Sequence, residues 1–368
     1  MRHWGKVVVG LSLMGLLSGC WSNRPVERRN LALMLGVGPA PHHQIRLIFQ
    51  IPTRSGLTGL TKGSGASQEA SFYLIEGVGA TMTDAFAQAQ AKTTRDLYLG
   101  QVEVVAFSTR LPPTAFEQAR NMFSRLGSLD KTAYAVATPS VRRLLALQPR
   151  SGELPGIILA SNFGCLSCNV EHLERTVWDM ETAHYNRGIN LWLPLLSAGP
   201  HGFEINQMAV YAQDRPVLIL TPPETQALGY VMGLTHKGTL TFRWGPHWVA
   251  LRALDARPHF AMAWKDGRPA IAITLDVTGS LAEYLRGELT PPVLKAVETA
   301  AEKDLARRVT AVLARLQQAH VDPVGFGQSW VWFHPTRFAR LGSWRQAFAH
   351  ATISVQVHLR LNDIGDLT

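Results

Sequence analysis

The alternation of apolar and polar positions is clearest in the last third of the chain. Large apolar side chains occupy every second position of 270–278, and residues 353–361 repeat the pattern. A period of two places one row of side chains on each face of a strand, so both segments are predicted as half-buried strands. A Lys-Asp-Gly turn separates 270–278 from an apolar run at 259–264, which indicates a β-hairpin.

A long amphipathic helix is predicted between these strands, over residues 292–320. Its apolar positions recur at steps of three and four, namely Leu294, Val297, Ala301, Leu305, Val309, Val312 and Leu316. This period places them on one stripe that faces a core. A long helix packed on an antiparallel sheet predicts an α+β module for the C-terminal part.

The first half of the chain alternates short apolar segments with helical ones. We predict a helix from Thr83 or Asp84 to about residue 97, and a second that opens at Pro112 and Pro113. The predicted strands are 30–38, 44–51, 72–76, 102–107 and 134–137. The fold class is therefore a mixed α/β and α+β multi-domain protein, with an N-terminal mixed sheet covered by helices.

Further strands are predicted at 203–212 and 217–220, which form a hairpin, and a helix is predicted at 222–232. Residues 150–200 are less regular and form an ill-defined join. We expect an N-terminal domain over 20–195 and a C-terminal domain over 200–368. A division of the latter into 200–245 and 246–368 is an alternative.

Composition narrows the possible functions. The 368 residues are 46% hydrophobic and only 17% charged, with a net charge of +9. No continuous run of about 18 apolar residues occurs, which argues against a multi-span membrane protein. The basic residues are dispersed, so a nucleic-acid site is not expected. Ten tryptophans concentrate late in the chain; tryptophan is typical of cores, of interfaces and of the headgroup level of membranes.

The N-terminus carries a lipoprotein-type signal. Arg2 and Lys6 precede an apolar stretch that is too short to span a bilayer, as in a signal peptide over residues 1–19. The sequence Leu17-Ser18-Gly19-Cys20 then resembles a bacterial lipobox. In such proteins the cysteine becomes the mature N-terminus and carries diacylglycerol, whose two acyl chains hold a membrane stably.

Four segments together resemble the Ger(x)C family, the C-subunit lipoproteins of nutrient germinant receptors in spore-forming bacteria. They are the lipobox followed by Trp21 and the apolar 31–38, the segment 95–107, the hairpin and helix of 208–232, and the segment Asp322-Pro323-Val324-Gly325-Phe326-Gly327 with Trp344 and the strand after it. The resemblance covers nearly the whole mature chain.

The resemblance implies a non-enzymatic subunit needed for nutrient-triggered spore germination. It implies lipidation at Cys20 and a place on the outer face of the spore inner membrane, beside the A and B membrane subunits of the receptor. No cofactor is expected apart from the covalent diacylglycerol, and no metal. The alternative is a substrate-binding lipoprotein of a transporter, which would have two α/β lobes around a cleft.

The Asp-x-x-Gly-Phe-Gly segment is interpreted mainly as a turn after the long helix. Gly325 and Gly327 permit a positive φ there, and Phe326 would pack between helix and sheet. Asp322 would accept hydrogen bonds from nearby backbone N–H groups. Direct contact with a partner is the other interpretation.

Catalytic motifs are absent from the sequence. It contains no P-loop, no His-Glu-x-x-His and no Gly-x-Ser-x-Gly. Cys165 and Cys168 form a C-x-x-C pair, for which a structural disulfide, free thiols, a zinc site with His172 and His184, and redox chemistry all remain open.

Overall fold

The structure is a computed structural model that describes residues 28–54, 56, 70–149, 152–165, 173–199, 202–284 and 288–363. The predicted signal peptide and lipobox, Trp21 and Cys168 lie outside these ranges. No helix in the described ranges combines the length and the apolar character that a membrane span requires.

An eight-stranded mixed sheet forms the framework of the N-terminal half. Its strands are β2 (Met34–Pro39), β3 (Ile45–Pro52), β4 (Phe72–Gly79), β6 (Val104–Ser108), β7 (Tyr134–Thr138), β8 (Trp192–Ala198), β9 (Phe203–Ala212) and β10 (Arg215–Leu220). Their order is β10-β9-β8-β7-β6-β2-β3-β4, with parallel pairing from β8 to β2 and antiparallel pairing outside it. Two short strands, β1 (Arg29–Leu31) and β5 (Asp96–Tyr98), pair in parallel beside it. The mixed sheet of the prediction is confirmed.

Five helices of the described residues flank this sheet. They are α1 (Met82–Gln90), α2 (Pro113–Arg125), α3 (Val141–Leu145), α4 (Pro155–Gly164) and α5 (Val177–Tyr185). The prediction that this helix extends to about residue 97 was wrong, because α1 ends at Gln90. The Thr81 hydroxyl caps its start, and the Gln90 side chain bonds the backbone of Arg95 and Leu97, which turns the chain into β5. The Gln90 side chain thus forms hydrogen bonds with backbone groups that a further helical turn would otherwise have paired.

The C-terminal part is a four-stranded sheet packed on one long helix. In chain order its elements are α6 (Pro222–Met232), β11 (Gly238–Trp244), β12 (His247–Lys265), β13 (Arg268–Tyr284), α7 (Pro291–Gln318), α8 (Phe326–Phe333), α9 (Pro335–Arg340), α10 (Trp344–Ala349) and β14 (Thr352–Asp363). The predicted stripe of α7 is buried from Val297 to Leu316. The amphipathic interpretation of this helix is therefore confirmed.

The last strand differs from the antiparallel expectation. The order is β11-β12-β13-β14, and β11, β12 and β13 pair antiparallel, but β14 pairs parallel to β13 from Ala270↔Thr352 onwards. The reason is the helical connection: α7 returns the chain to the start of β13, and a crossover of this kind joins parallel strands.

The outer edge of β14 is partly covered by carboxylates of α7. The backbone N–H of Leu359 donates to Glu302 Oε1 at 3.0 Å, and that of Leu361 donates to Glu298 Oε1 at 3.0 Å. Two edge amides are therefore already bonded to side chains of the same chain.

One hydrophobic core joins the two halves. Trp192 and Val210 of the large sheet lie in the same buried cluster as Ile273 of β13 and Val309 of α7. The strands β9 and β10 follow the predicted domain boundary near residue 195–200 but belong to the eight-stranded sheet. That boundary therefore passes through a continuous sheet.

Candidate functional site

The most elaborate polar site in the described residues surrounds Asp322, in the turn between α7 and α8. Asp322 is only 1% exposed. Oδ1 accepts a hydrogen bond from the Gly325 N–H at 2.9 Å, and Oδ2 accepts from the Gly327 N–H and the Trp344 indole Nε1–H, both at 2.9 Å. One carboxylate thus satisfies the first amides of α8 and a buried ring donor.

Burial and hydrogen bonding act on this carboxyl in opposite directions. Removal from water raises the pKa of Asp322, and the amide and indole donors lower it. Burial is the larger effect, so the resulting pKa is about 6. At neutral pH the group is therefore mostly ionised, which suits an acceptor surrounded by donors.

Two glycines make the turn possible. Gly325 has φ +86°, in the left-handed region that favours glycine, and it precedes the first residue of α8. The expectation of a positive φ at Gly327 was wrong, because this residue already belongs to α8; glycine is needed there since a Cβ would overlap the indole of Trp344. Phe326 is buried, with its ring edge-on to Phe260 and stacked on Phe348. The segment is thus a packed turn within the body of the protein.

A loop from the N-terminal half completes the site. Asn190 Oδ1 accepts from the Asp322 N–H at 2.9 Å, and the Asn190 N–H donates to the Asp322 carbonyl at 2.8 Å. The Asn190 amide also donates to the Tyr211 carbonyl of β9 at 3.0 Å. We call Asn190, Asp322, Gly325, Gly327 and Trp344 the Asp322 junction, because they tie the two halves together.

Close packing reinforces this contact. The Gln328 N–H donates to the Gly188 carbonyl at 2.9 Å, and a Cβ on Gly188 would overlap the backbone of Gly327. Gly188 has φ +85°, so glycine is required there both by conformation and by space.

A small cleft lies beside the junction, lined by residues of α2, α5 and the β9–β10 turn. Its cavity volume is about 190 Å³, and Asn190 belongs to its lining. The Arg120 guanidinium donates to Asp214 Oδ1 at 2.6 Å and lies 3.2 Å from His184 Nε2. Because arginine only donates, His184 Nε2 is the acceptor in this contact. This arrangement fixes the turn after β9 against α2.

The described part of the chain contains one disulfide-bonded cysteine and no cluster of metal ligands. No group of three or more His, Cys, Asp or Glu side chains there is arranged to hold a metal ion. Cys165 follows the last turn of α4 and is disulfide-bonded, whereas Cys168 and His172 lie outside the described residues. The pairing of Cys165 with Cys168 therefore stays a prediction.

The lipidation residues Leu17, Ser18, Gly19 and Cys20, with Trp21, also lie outside the described residues and stay predictions. Sequence reasoning identified Asp322 and its glycines but missed Asn190. It is 132 positions away and follows no recognisable motif, so no local signal identified it.

Comparison with known proteins places both halves in one family. The family model described as spore germination protein N-terminal domain matches residues 22–198. The model described as spore germination B3/GerAC like, C-terminal, matches residues 206–365. Together the two models cover most of the chain.

Curated relatives and a solved structure agree with this. The chain is 19% identical over 373 residues to spore germination protein GerQC of Bacillus cereus, covering 99% of each. It is 20% identical to spore germination protein KC of Bacillus subtilis (strain 168), covering 89% of this chain and 86% of the relative.

The fold comparison gives the same result. The crystal structure of the GerBC protein matches with a TM-score of 0.60 at 16% identity, over 89% of this chain and 96% of that one. The expected architecture, an N-terminal mixed sheet followed by a sheet with one long helix, is therefore shared with a solved fold. This chain belongs to the Ger(x)C family of spore germination proteins, the C subunits of germinant receptors.

Proposed function

We propose that this protein is a non-enzymatic, lipid-anchored subunit of a germinant receptor, needed for nutrient-triggered spore germination. The observation that carries the proposal is the match of both halves to germination-protein families. The anchor is the diacylglycerol at Cys20, and the location is the outer face of the spore inner membrane. The partners are the A and B membrane subunits.

The physical role we propose is that of a rigid body held beside its partners. Cys20 lies eight positions before Arg28, and eight residues span at most about 28 Å, so lipidation at Cys20 would hold the protein close to the membrane. Confinement to a membrane raises the effective concentration of weak contacts without a large interface. The Asp322 junction and the shared core support a body that keeps its shape while tethered.

The transporter alternative receives less support from the fold. A substrate-binding lipoprotein would have two α/β lobes. Here the C-terminal half is a four-stranded sheet on one long helix, joined to the N-terminal half through a common core.

Deletion of the gene followed by complementation tests the receptor role. We expect loss of nutrient-triggered germination in a strain without paralogues, rescue by the full-length gene, and normal germination with a trigger that bypasses nutrient receptors. Unimpaired nutrient germination in the deleted strain would contradict the proposal.

The Cys20→Ala variant tests the anchor separately. We expect an unprocessed precursor or a protein released from the membrane fraction, and loss of lipid labelling. A Cys165→Ala variant is the matched control and should be processed and lipidated normally. Unchanged processing and membrane retention of Cys20→Ala would refute lipidation. Cross-linking in spore membranes, followed by purification, identifies the partners.

A further inference from the structure

Two large aromatic side chains protrude at the end of α8. Trp332 is 68% exposed and Phe333 is 73% exposed, whereas Trp330 in the preceding turn is buried. We call residues 332–340, which include α9, the helical corner. Exposed aromatic rings on a surface cost free energy in water, and such patches mark sites of interaction.

The corner is firmly held in place. The buried Trp330 ring packs edge-on to Trp264 at 6.0 Å and against His334 at 4.7 Å. Phe338 of α9 stacks on Trp344 of the Asp322 junction at 6.2 Å. The exposed rings are therefore presented by a packed element and not by a loose loop.

The charge of the corner has one sign. Arg337 and Arg340 are exposed, and neither pairs with an acidic side chain elsewhere in the described residues. Residues 323–362 contain no aspartate or glutamate at all. The corner thus carries two exposed arginines and no acidic residue of its own.

Aromatic rings beside arginines match the chemistry of an anionic lipid surface. Tryptophan favours the headgroup level of a bilayer, where its ring is half buried and its N–H stays hydrated. Arginines near anionic headgroups are attracted electrostatically. We propose that the helical corner docks directly on an anionic membrane surface, with Trp332 and Phe333 entering the headgroup region and Arg337 and Arg340 contacting lipid phosphates.

Trp248 is an exposed tryptophan away from the corner. It is 58% exposed and lies at the N-terminal end of β12, whereas the corner packs on Trp264 near the C-terminal end of that strand, and the Arg243 guanidinium covers the Trp248 ring at 5.6 Å. It therefore serves as a control for general tryptophan exposure.

This inference deepens the proposed function, since it adds a second membrane contact to the lipid anchor, but its test does not use the anchor. The chain from residue 20 onwards, with Cys20→Ser, is mixed with vesicles of phosphatidylcholine alone or with phosphatidylglycerol added. Binding is measured by sedimentation, and Trp332 depth by quenching with brominated lipid.

We expect binding to the phosphatidylglycerol vesicles that weakens with salt, and little binding to phosphatidylcholine alone. Replacement of Arg337 and Arg340 by Gln, or of Trp332 and Phe333 by Ser, should reduce the affinity roughly tenfold or more. Trp332→Phe should retain binding and lose most of the quenching. Trp248→Ser should behave like the parent chain. Circular dichroism checks the fold of each variant.

Three results would overturn the proposal. The first is that the parent chain does not bind anionic vesicles. The second is that the variants with replaced arginines or replaced aromatic residues at the corner bind as tightly as the parent. The third is that Trp248→Ser weakens binding as much as these variants do. If the parent does not bind vesicles but the corner variants still impair germination, the corner serves a protein partner instead. A failure here leaves the Cys20 anchor intact, because that is tested by lipid labelling.

Discussion

At the residue scale, Asp322 organises the contact between the two halves of the protein. Its two oxygens accept three hydrogen bonds, and its backbone exchanges two more with Asn190. A buried donor that loses its acceptor costs about 1–3 kcal/mol, so the carboxylate matters most through the groups that it satisfies.

Asp322→Ala should lower the free energy of unfolding by roughly 3 kcal/mol or more, because three buried donors lose their acceptor. Trp344→Phe removes only one of these hydrogen bonds and should cost less. Urea unfolding followed by circular dichroism measures both. The control is Asp276→Ala, which removes an exposed pair with His259 and should change stability by less than about 1 kcal/mol. Equal stabilities for the three variants would contradict this role.

The stability should also depend on pH through the same carboxyl. Its pKa is about 6 in the folded protein, against about 3.9 for an ordinary aspartate. Between these values the folded state binds more protons than the unfolded state. The contribution of Asp322 to the free energy of unfolding therefore falls as pH rises from about 4 to 6, by on the order of 3 kcal/mol, and is level above that.

Asp322→Asn cannot titrate and supplies the reference for this effect. The free energy of unfolding of the parent minus that of the variant should decrease as the pH rises from about 4 to about 6. A constant difference from pH 4 to 7 would show that Asp322 keeps an ordinary pKa.

At the element scale, the sequence predicted strongly periodic segments well and connections poorly. The stripe of α7 and the alternation of β14 were identified because each buries one face. The parallel pairing of β14 was not, because a period of two carries no information on strand direction. The three short helices α8, α9 and α10 were missed, since six to eight residues are too few to establish a helical period.

The loop before β8 provides a prediction for one such connection. Gly188→Ala should destabilise the protein, because a methyl group there meets the backbone of Gly327 in addition to the strain of a positive φ. Gly267→Ala is the matched control: its φ is +75°, but nothing lies within 4 Å of its added Cβ.

We expect the free energy of unfolding to fall by about 1 kcal/mol in Gly267→Ala and by at least about twice that in Gly188→Ala. Thermal unfolding compares the two. Equal shifts would mean that the loop does not pack on α8 as closely as described.

At the scale of the whole molecule, the two family-matched halves behave structurally as one body. They share the large sheet, one hydrophobic core and the reciprocal hydrogen bonds of Asn190 and Asp322. This long-range pairing explains why the candidate site was only half predictable. The turn residues follow a local pattern, whereas their partner is set by tertiary packing alone.

A cooperative unfolding transition follows from this organisation. Calorimetry of the chain from residue 20 should show one main transition. Asn190→Ala should lower its midpoint and broaden or split it, because the polar link between halves is lost while each half keeps most of its core. Asn121→Ala, on the exposed face of α2, is the control and should leave a single transition. Two transitions in the parent would contradict strong coupling.

The glutamates that cover part of the β14 edge have a consequence for how copies of the protein meet one another. Exposed strand edges are templates on which a neighbouring chain adds its own strand. Glu298 and Glu302 occupy the amides that an incoming strand would need at Leu361 and Leu359. The long helix thus also protects the finished fold from edge-to-edge aggregation, a function that its amphipathic pattern alone does not reveal.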